Sequence, residues 1–400
     1  MTHGVCVTIH GTVYDITEFL ERGHPGGMDL PRTFNGEDIT GLFMSTHSKR
    51  TQLIVDKIPL IKKLEEKPIT EEFQSKFFDT LFDRVHQYLR DHKTSQYWSY
   101  IDMFSKLLLI VVTTWWGMVY GSMIWTFINA LVSISWQFNF GHMNEHGGCP
   151  KQFRFLISCM TDMLGGMQSI AWRHQHNKRH HIHTNNSLED PDIQNVPWFR
   201  LSESQPWYPW HTWQWFYGHI AMCFIPALKM DLKYAWLSLS LPNVRIIERI
   251  RWFVCKLMGW TIFVIVPVAF HGWKIGFLLS YIRFVVSSSI YTHVISPNHI
   301  TLPCISNANG SNYFENQVRS SATYAPGCKW TNFFTGGLNH QVEHHLFPML
   351  PMYDLPGIQP IVQKTIEEFN LPYNSYNNIF HAISAYHQLL VRLGNEPKKE

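Results

Sequence analysis

The sequence predicts an α-helical multi-pass membrane protein with about four spans in two hairpins, a histidine-rich cytosolic cap and a small N-terminal α+β domain. Two long apolar stretches, a strand-like opening segment and the clustering of the 23 histidines predict this class. The 15% aromatic content exceeds what a soluble enzyme needs. A net charge of +3 is too small to favour nucleic acid as a partner, so we expect none.

The N-terminal domain is predicted over residues 1–65. Apolar residues occupy every second position from Val5 to Ile9, which is typical of a half-buried strand, and His10-Gly11 predicts the turn that follows. A connector is predicted over residues 66–95. Its apolar residues from Phe73 to Val85 have helical spacing, which indicates an amphipathic helix lying on the membrane or on the enzyme, with a plain linker as the alternative.

The remaining residues, 96–400, contain the two apolar stretches. A membrane crossing needs about 20 residues, and the stretches 98–138 and 252–294 are each long enough for two crossings. Each stretch therefore predicts a hairpin. The first would turn at Gly117 or Gly121, and the second within His271-Gly272-Trp273-Lys274.

Charged residues constrain how these spans lie. Lys106 and Arg283 would each cost ~2.5–3.5 kcal/mol at mid-bilayer, so we expect their side chains to reach the interface or to face protein. An even number of spans puts both termini on one side of the membrane. The opening residues contain no signal segment, and Arg249, Arg251 and Lys256 precede or begin the third span, so that side is predicted to be cytosolic. The seven cysteines are scattered, as expected of reduced thiols.

Two histidines of the N-terminal domain are candidate haem ligands. The run Val13–Leu20 leads to His24 in an H-P-G-G turn, and His47 follows a second short amphipathic stretch. An electron-transferring haem needs two axial ligands on rigid turns, although either histidine alone could be an ordinary turn residue. Residues 5–62 resemble the cytochrome b5 family in this turn and in the second histidine. The resemblance implies haem b with His24 and His47 as its axial ligands.

Three further groups of residues lie next to the predicted hairpins. They are His142 and His146; His176, His180 and His181; and Gln341, His344 and His345. Histidines four apart on a helix lie on one face and can point at one metal, whereas a single such pair is usually ordinary surface. Imidazole suits Zn, Cu, Ni or Fe, and a redox haem on the same chain favours iron.

The spacings H-x3-H, H-x3-H-H and Q-x2-H-H resemble the membrane fatty-acid desaturase family, and the fused haem domain with Gln341 resembles its front-end branch. The resemblance implies that the seven clustered histidines bind two non-haem irons and that Gln341 is essential. It also implies one more ligand after the last span, for which His293 fits, with His299 as the alternative. Asp190 or Asp192 would orient histidine rings from outside the metal shell. His174, His183 and His340 are expected to lie outside it too.

The same resemblance implies an O2-dependent enzyme that inserts a cis double bond between an existing double bond and the carboxyl end of an acyl chain. The substrate would be linked to CoA or to a phospholipid, and NADH-cytochrome b5 reductase would supply the electrons. The enzyme would lie in the endoplasmic reticulum membrane, in contact with lipid. A sphingoid-base desaturase or an acyl hydroxylase with fused cytochrome b5 is the alternative. A haem protein that only donates electrons would need none of the three clusters.

Overall fold

The computed structural model describes residues 4–66, 71–92, 96–306, 308 and 312–395. The N-terminal domain contains a three-stranded antiparallel sheet in the order β1-β2-β3, with short helices between β2 and β3. Its elements are β1 Cys6–Ile9, β2 Thr12–Asp15, α1 Thr17–Gly23, α2 Asp29–Thr33, α3 Thr40–Thr46, α4 Lys49–Ile54, a 3₁₀ turn Val55–Lys57 and β3 Lys62–Glu66. The last strand ends beside the predicted domain boundary.

The predicted hairpin at the start of the chain is present. His10 and Gly11 both have positive φ, 50° and 75°, which is the geometry of the two-residue turns that join twisted antiparallel strands. The alternate residues Val5, Val7 and Ile9 are buried and pack with Leu20 in the core of this domain. The period-two pattern of the sequence therefore gives the sheet one buried face.

The connector contains a helix that packs on protein. A 3₁₀ turn spans Glu71–Phe73, and α5 Lys76–Asp91 is capped by the Ser75 hydroxyl, which accepts a hydrogen bond from the amide of Phe78. The Phe78 ring stacks on Phe314, with the two ring centroids 3.7 Å apart. The apolar face of α5 is thus covered by the C-terminal part of the chain.

The rest of the chain is mostly helical. Its helices are α6 Gln96–Thr114, α7 Met123–Trp136, α8 His142–Glu145, α9 Lys151–Leu164, α10 Ser169–Trp172, α11 Gln214–Met222, α12 Ile225–Ser240, α13 Ile246–Trp260, α14 Val266–His299, α15 Leu302–Ser306, α16 Tyr313–Arg319, α17 Lys329–Thr335, α18 Gln341–Leu346, α19 Leu355–Glu368 and α20 Ile379–Asn395. The π-helical segments are Trp115–Val119, Gln137–Gly141, Arg173–His180 and Thr261–Ile265, and a 3₁₀ turn spans Pro209–Trp213. The strands β4 Ala322–Tyr324 and β5 Asn374–Tyr376 pair in parallel.

Within the part of the chain that the structure describes, two helical stretches are long and apolar enough to cross a membrane, Tyr97–Val119 and Ile246–His299. The second stretch breaks at Gly272, where φ is 72°, within the segment predicted to turn. The chain between α6 and α7 turns at Gly121, where φ is 74°, whereas Gly117 lies inside a π-helical segment. α7 packs against both α6 and α14.

Lys106 and Arg283, which were expected to reach the interface or to face protein, both face protein. Lys106 is buried and binds the Asp102 carboxylate and the Phe333 carbonyl, each at 3.2 Å. Arg283 is buried too, and it donates to Asn129 at 2.9 Å and to the Leu164 carbonyl at 2.8 Å. Both charges therefore have polar partners within the helical bundle, which removes the cost of exposing them to lipid. All seven cysteines are free.

Candidate di-metal centre and haem site

Three segments far apart in the chain converge on one buried site. His142 begins α8, directly after a π-helical segment, and His146 follows the last residue of that helix. In the second cluster, His176 and His180 lie on the π-helical segment Arg173–His180 rather than on a regular α-helix, and His181 follows that segment directly. The third lies on α18. π-Helical segments are rare in proteins, and those that occur are often found at functional sites.

Four imidazoles form the first group: those of His142, His146, His176 and His344, whose nitrogens all lie within 4.8 Å of one another. The Nε2 atoms of His142 and His176 are 2.8 Å apart, and those of His142 and His146 are 3.3 Å apart. His181 adjoins this group, with its Nε2 3.1 Å from that of His176. These nitrogens point at a common centre, as the ligands of one metal ion do.

A second group contains His180, His299 and His345. The Nε2 atoms of His180 and His299 are 3.3 Å apart. The His299 Nδ1 atom lies 2.9 Å from the Ser320 carbonyl, which orients the ring with Nε2 toward the group. The two groups adjoin, because the His181 and His345 rings stack with centroids 4.1 Å apart. Two neighbouring metal ions could therefore be held side by side.

Side chains outside the two groups orient the second one. Asp190 accepts from the His180 Nδ1 atom at 3.0 Å, and Gln317 lies 2.7 Å from the His345 Nδ1 atom. Burial disfavours charge on His180, but the carboxylates of Asp190 and Asp192 outweigh it and raise the pKa of His180 to about 9, so a metal that binds its Nε2 atom displaces a proton there. Each Nδ1 is thus occupied by an acceptor, which leaves Nε2 available to a metal.

The extra ligand expected at His293 is not part of either group. The His293 Nε2 atom lies 3.2 Å from His219 Nδ1, and His293 Nδ1 bonds to the Ser289 carbonyl at 2.7 Å. His299, the alternative, belongs to the second group. The step of six residues from His293 to His299 rotates the side chain by roughly 240° around α14, so both cannot face the same centre.

The buried nitrogens fit metal ions. The Nε2 atoms of His344 and His345 are buried and have no hydrogen-bond partner among the described residues. Burial, followed by the charges that neighbouring imidazoles would carry, holds the pKa of His344 well below its usual range. The ring is therefore neutral, which is the form that binds metals. An imidazole-rich set with few carboxylates suits Fe, Zn, Cu or Ni.

Gln341 lies beside the second group. Its Nε2 atom is 2.9 Å from His299 Nε2, and its Oε1 atom accepts from the Asn298 amide at 3.1 Å. The two ends of a carboxamide can be exchanged, so the Gln341 oxygen could equally face a metal bound by His299. Its side chain thus ends at the His299 nitrogen that faces the second group.

We expect Gln341→Asn to reduce turnover severely. The shorter side chain moves the carboxamide away from His299 by over 1 Å, and a displacement of this size can cost ~100-fold in rate. Product formed per enzyme, measured in membranes, tests this. The matched control is Gln363→Asn, on the exposed side of α19, which should leave turnover unchanged. Near-normal turnover of Gln341→Asn would mean that Gln341 only packs.

His24 and His47 face each other across a gap in the N-terminal domain. Their ring centroids are 6.0 Å apart with an angle of 62° between the planes. The Nδ1 atom of His24 lies 3.1 Å from the Gly27 carbonyl, and that of His47 lies 3.2 Å from the Phe43 carbonyl. Burial, with a smaller contribution from His24, lowers the pKa of His47 to about 4. Two neutral rings with their Nδ1 atoms occupied fit the two sides of one haem iron.

Sequence reasoning assigned no role to several residues around the site. Gln317 orients His345, yet it lies in a stretch with no recognisable motif. Glu145 lies inside the first histidine spacing and is buried against Arg173 at 3.0 Å. The position of the Glu145 carboxylate between His142 and His146 is the signal by which the sequence could have marked it as a candidate site residue. His340, expected near the metals, is buried, and its Nδ1 atom has no hydrogen-bond partner among the described residues.

Comparison with known proteins agrees with this geometry. Residues 150–377, which include the second and third histidine clusters, match the model of the fatty acid desaturase family. The chain belongs to this family. Residues 2–97 of the desaturase match the cytochrome b5-like haem/steroid binding domain. The protein is thus an oxidoreductase of lipid metabolism with a fused haem-binding domain, and its histidine groups fit a di-iron site.

Curated relatives resemble the desaturase over nearly its whole length. A protein named "Probable Delta(5) fatty acid desaturase C" from Dictyostelium discoideum is 26% identical over 98% of this chain and 92% of its own. An "Acyl-lipid (8-3)-desaturase" from Physcomitrium patens is 27% identical over 97% of this chain and 88% of its own. A protein of the same name from Mortierella alpina is 26% identical over 98% and 95%. Each of these relatives spans both the haem-binding and the desaturase parts of the chain.

Proposed function

We propose that this desaturase is a front-end fatty-acyl desaturase. It inserts a cis double bond between an existing double bond and the carboxyl end of an acyl chain, using O2 and electrons passed through its own haem domain. The observation that carries the proposal is the pair of adjoining imidazole groups on a chain that also carries two facing haem-ligand histidines. The Delta(5) and (8-3) relatives support the front-end assignment.

The proposed ligands of two non-haem irons are the eight histidines of the two groups. They are His142, His146, His176, His181 and His344 on one side, and His180, His299 and His345 on the other. Bound there, the irons would supply the O2 chemistry that removes one hydrogen from each of two neighbouring carbons. Side chains alone cannot remove these hydrogens, because the C–H bonds of an alkyl chain are not acidic. Asp190 and Gln317 hold ring orientation, and Gln341 reaches the remaining position beside His299.

The acyl chain is proposed to lie in two cavities that share Tyr291. One of about 110 Å³ is lined by His299 and by residues such as Phe199 and Ile295, so it touches the second histidine group. The other, of about 230 Å³, lies among α7, α13 and α14 and is lined mainly by apolar surface, including Phe263. An acyl chain that enters between α7, α13 and α14 would pass Tyr291 and present one methylene pair to the metals.

The proposed membrane topology has four spans in two hairpins. The first pairs α6 with α7, and the second pairs α13 and the part of α14 before Gly272 with the part of α14 after it. Apolar side chains on the outer surfaces of these helices are exposed, Leu108, Ile124, Phe253 and Phe270 among them, and lipid would cover them. Both termini and the histidine groups would then be cytosolic, at the endoplasmic reticulum.

The proposed units are a haem domain over residues 1–65, a connector over residues 66–95 and a catalytic part over residues 96–400. NADH-cytochrome b5 reductase is the proposed electron source for the haem. Haem b, two irons and O2 complete the cofactor and co-substrate set, and the acyl group would be carried by CoA or by a phospholipid.

Expression in a yeast that makes no polyunsaturated acids tests the proposal. Single fatty acids with one or more double bonds are fed, and the new double bond is located by mass spectrometry. A product with its new bond between the carboxyl end and the existing bond is the expected result, with no product from saturated acids. A hydroxylated product, or desaturation of the sphingoid base alone, would overturn the front-end assignment. His344→Ala is the inactive control.

A further inference from the structure

A single arginine joins the haem domain to the first histidine cluster. Arg154 lies on α9, and its guanidinium donates to three backbone carbonyls: Gly26 at 2.5 Å, Gly147 at 2.7 Å and Cys149 at 2.8 Å. The rigid fork of donors in a guanidinium suits such a cluster of acceptors, whereas a lysine ammonium is a point charge on a flexible stem. Each carbonyl is held at a separate nitrogen, so the arginine sets their relative positions.

The carbonyls that Arg154 joins lie next to ligand residues on both sides. Gly26 belongs to the turn that presents His24, and its amide nitrogen lies 3.0 Å from the His24 Nδ1 atom. Gly147 directly follows His146, a member of the first imidazole group. One side chain therefore connects the haem-ligand turn to the metal-ligand loop, through one carbonyl on the haem side and two on the other.

Charge pairs surround this contact. Arg245 binds the Asp29 carboxylate through two nitrogens, at 2.7 and 2.9 Å. Lys178 pairs with Glu37 at 2.9 Å. In both pairs the acid belongs to the N-terminal domain and the base to the larger part of the chain. Such complementarity selects one docked orientation of the two units.

We propose that Arg154 is a positioning residue that docks the haem domain for electron transfer to the di-metal centre. This inference rests on the proposed function. Each transfer oxidises one ferrous haem and reduces one ferric ion of the centre. Two transfers, two protons and one O2 are used for each double bond, and the two hydrogens of the acyl chain leave with the oxygen as two molecules of water.

The test compares Arg154→Met and Arg154→Lys with Arg22→Met in the purified holoenzyme with its substrate. Arg22 is an exposed arginine of the haem domain that pairs with Glu18 inside its own helix, so it is the matched control. The haem is reduced, O2 is mixed in and haem reoxidation is followed by absorbance. A misplacement of about 1 Å can cost on the order of 100-fold in rate. We expect at least about a tenfold slower substrate-dependent reoxidation in both Arg154 variants and no change in Arg22→Met.

Two further measurements separate docking from general support of the fold. Hydrogen–deuterium exchange should rise in the peptides containing Gly26 and Gly147 of the Arg154 variants, while haem spectrum and iron content stay at wild-type values. Desaturation driven by a small reduced dye, which bypasses the haem, should stay normal. Loss of dye-driven turnover or of iron would overturn the proposal, because Arg154 would then support the metal loop itself. Unchanged reoxidation would overturn it as well.

Asp29→Asn provides a second route if Arg154→Met does not fold. It breaks the Arg245 pair at the same interface without touching the metal loop. Slower haem reoxidation with normal dye-driven turnover is the expected result for Asp29→Asn. Haem reoxidation at the wild-type rate in this variant would count against a docked haem domain. If wild-type protein itself shows no substrate-dependent reoxidation, the proposed function fails, which differs from every outcome for the variants.

Discussion

Replacing His344 with alanine is expected to abolish desaturation and to remove non-haem iron while the haem spectrum stays intact. His344 is buried among His142, His146 and His176, and its Nε2 atom has no other partner among the described residues. Loss of one imidazole would leave the first proposed metal short of a ligand. The proposed haem ligands His24 and His47 lie in the N-terminal domain, so the haem centre should not respond.

Metal analysis, the haem absorbance spectrum and product yield are measured on the same preparations. Wild type should hold one haem and close to two non-haem irons per chain. His180→Ala should behave like His344→Ala, since His180 belongs to the second group and is held by Asp190. The control His381→Ala removes an exposed imidazole at the start of α20 and should keep iron and activity. Unchanged product yield in His344→Ala or His180→Ala would refute the site assignment.

Replacing His24 with alanine should abolish six-coordinate haem ligation and reduce desaturation strongly, with both irons retained. The His24 and His47 rings face each other with their centroids 6.0 Å apart, so loss of either ring removes one of the two proposed axial ligands. Fusion by a short linker raises the effective concentration of a donor to the millimolar range. A free cytochrome b5 at moderate abundance should therefore not restore the activity.

The measurement uses cells that lack any other cytochrome b5, and reports product yield, haem spectrum and iron content for His24→Ala and His47→Ala. A second arm adds free cytochrome b5 at moderate expression. Full desaturation by His24→Ala in the first arm would remove the internal electron-donor role and leave the desaturase assignment standing. Restoration to wild-type yield in the second arm would show that docking by fusion is dispensable.

Local patterns were enough to predict the features that depend on neighbours in the chain. The alternation from Val5 to Ile9 and the His10-Gly11 turn predicted the first hairpin of the sheet. Lys106 and Arg283 were expected to reach the interface or to face protein, and both face protein, because a charge in an apolar helix needs a polar partner wherever the helix lies. The histidine spacings likewise indicated that several imidazoles share one site.

Contacts between distant segments decided the rest. His180 and His181 are adjacent in the chain, as are His344 and His345, and each pair divides between the two imidazole groups. Spacing alone cannot assign this division, because it depends on where the π-helical segment Arg173–His180, α14 and α18 lie relative to one another. The same holds for His299 in place of His293, and for Arg154, whose partner Gly26 lies in another domain. Helical periodicity specifies the face on which a side chain lies, whereas packing specifies what that face meets.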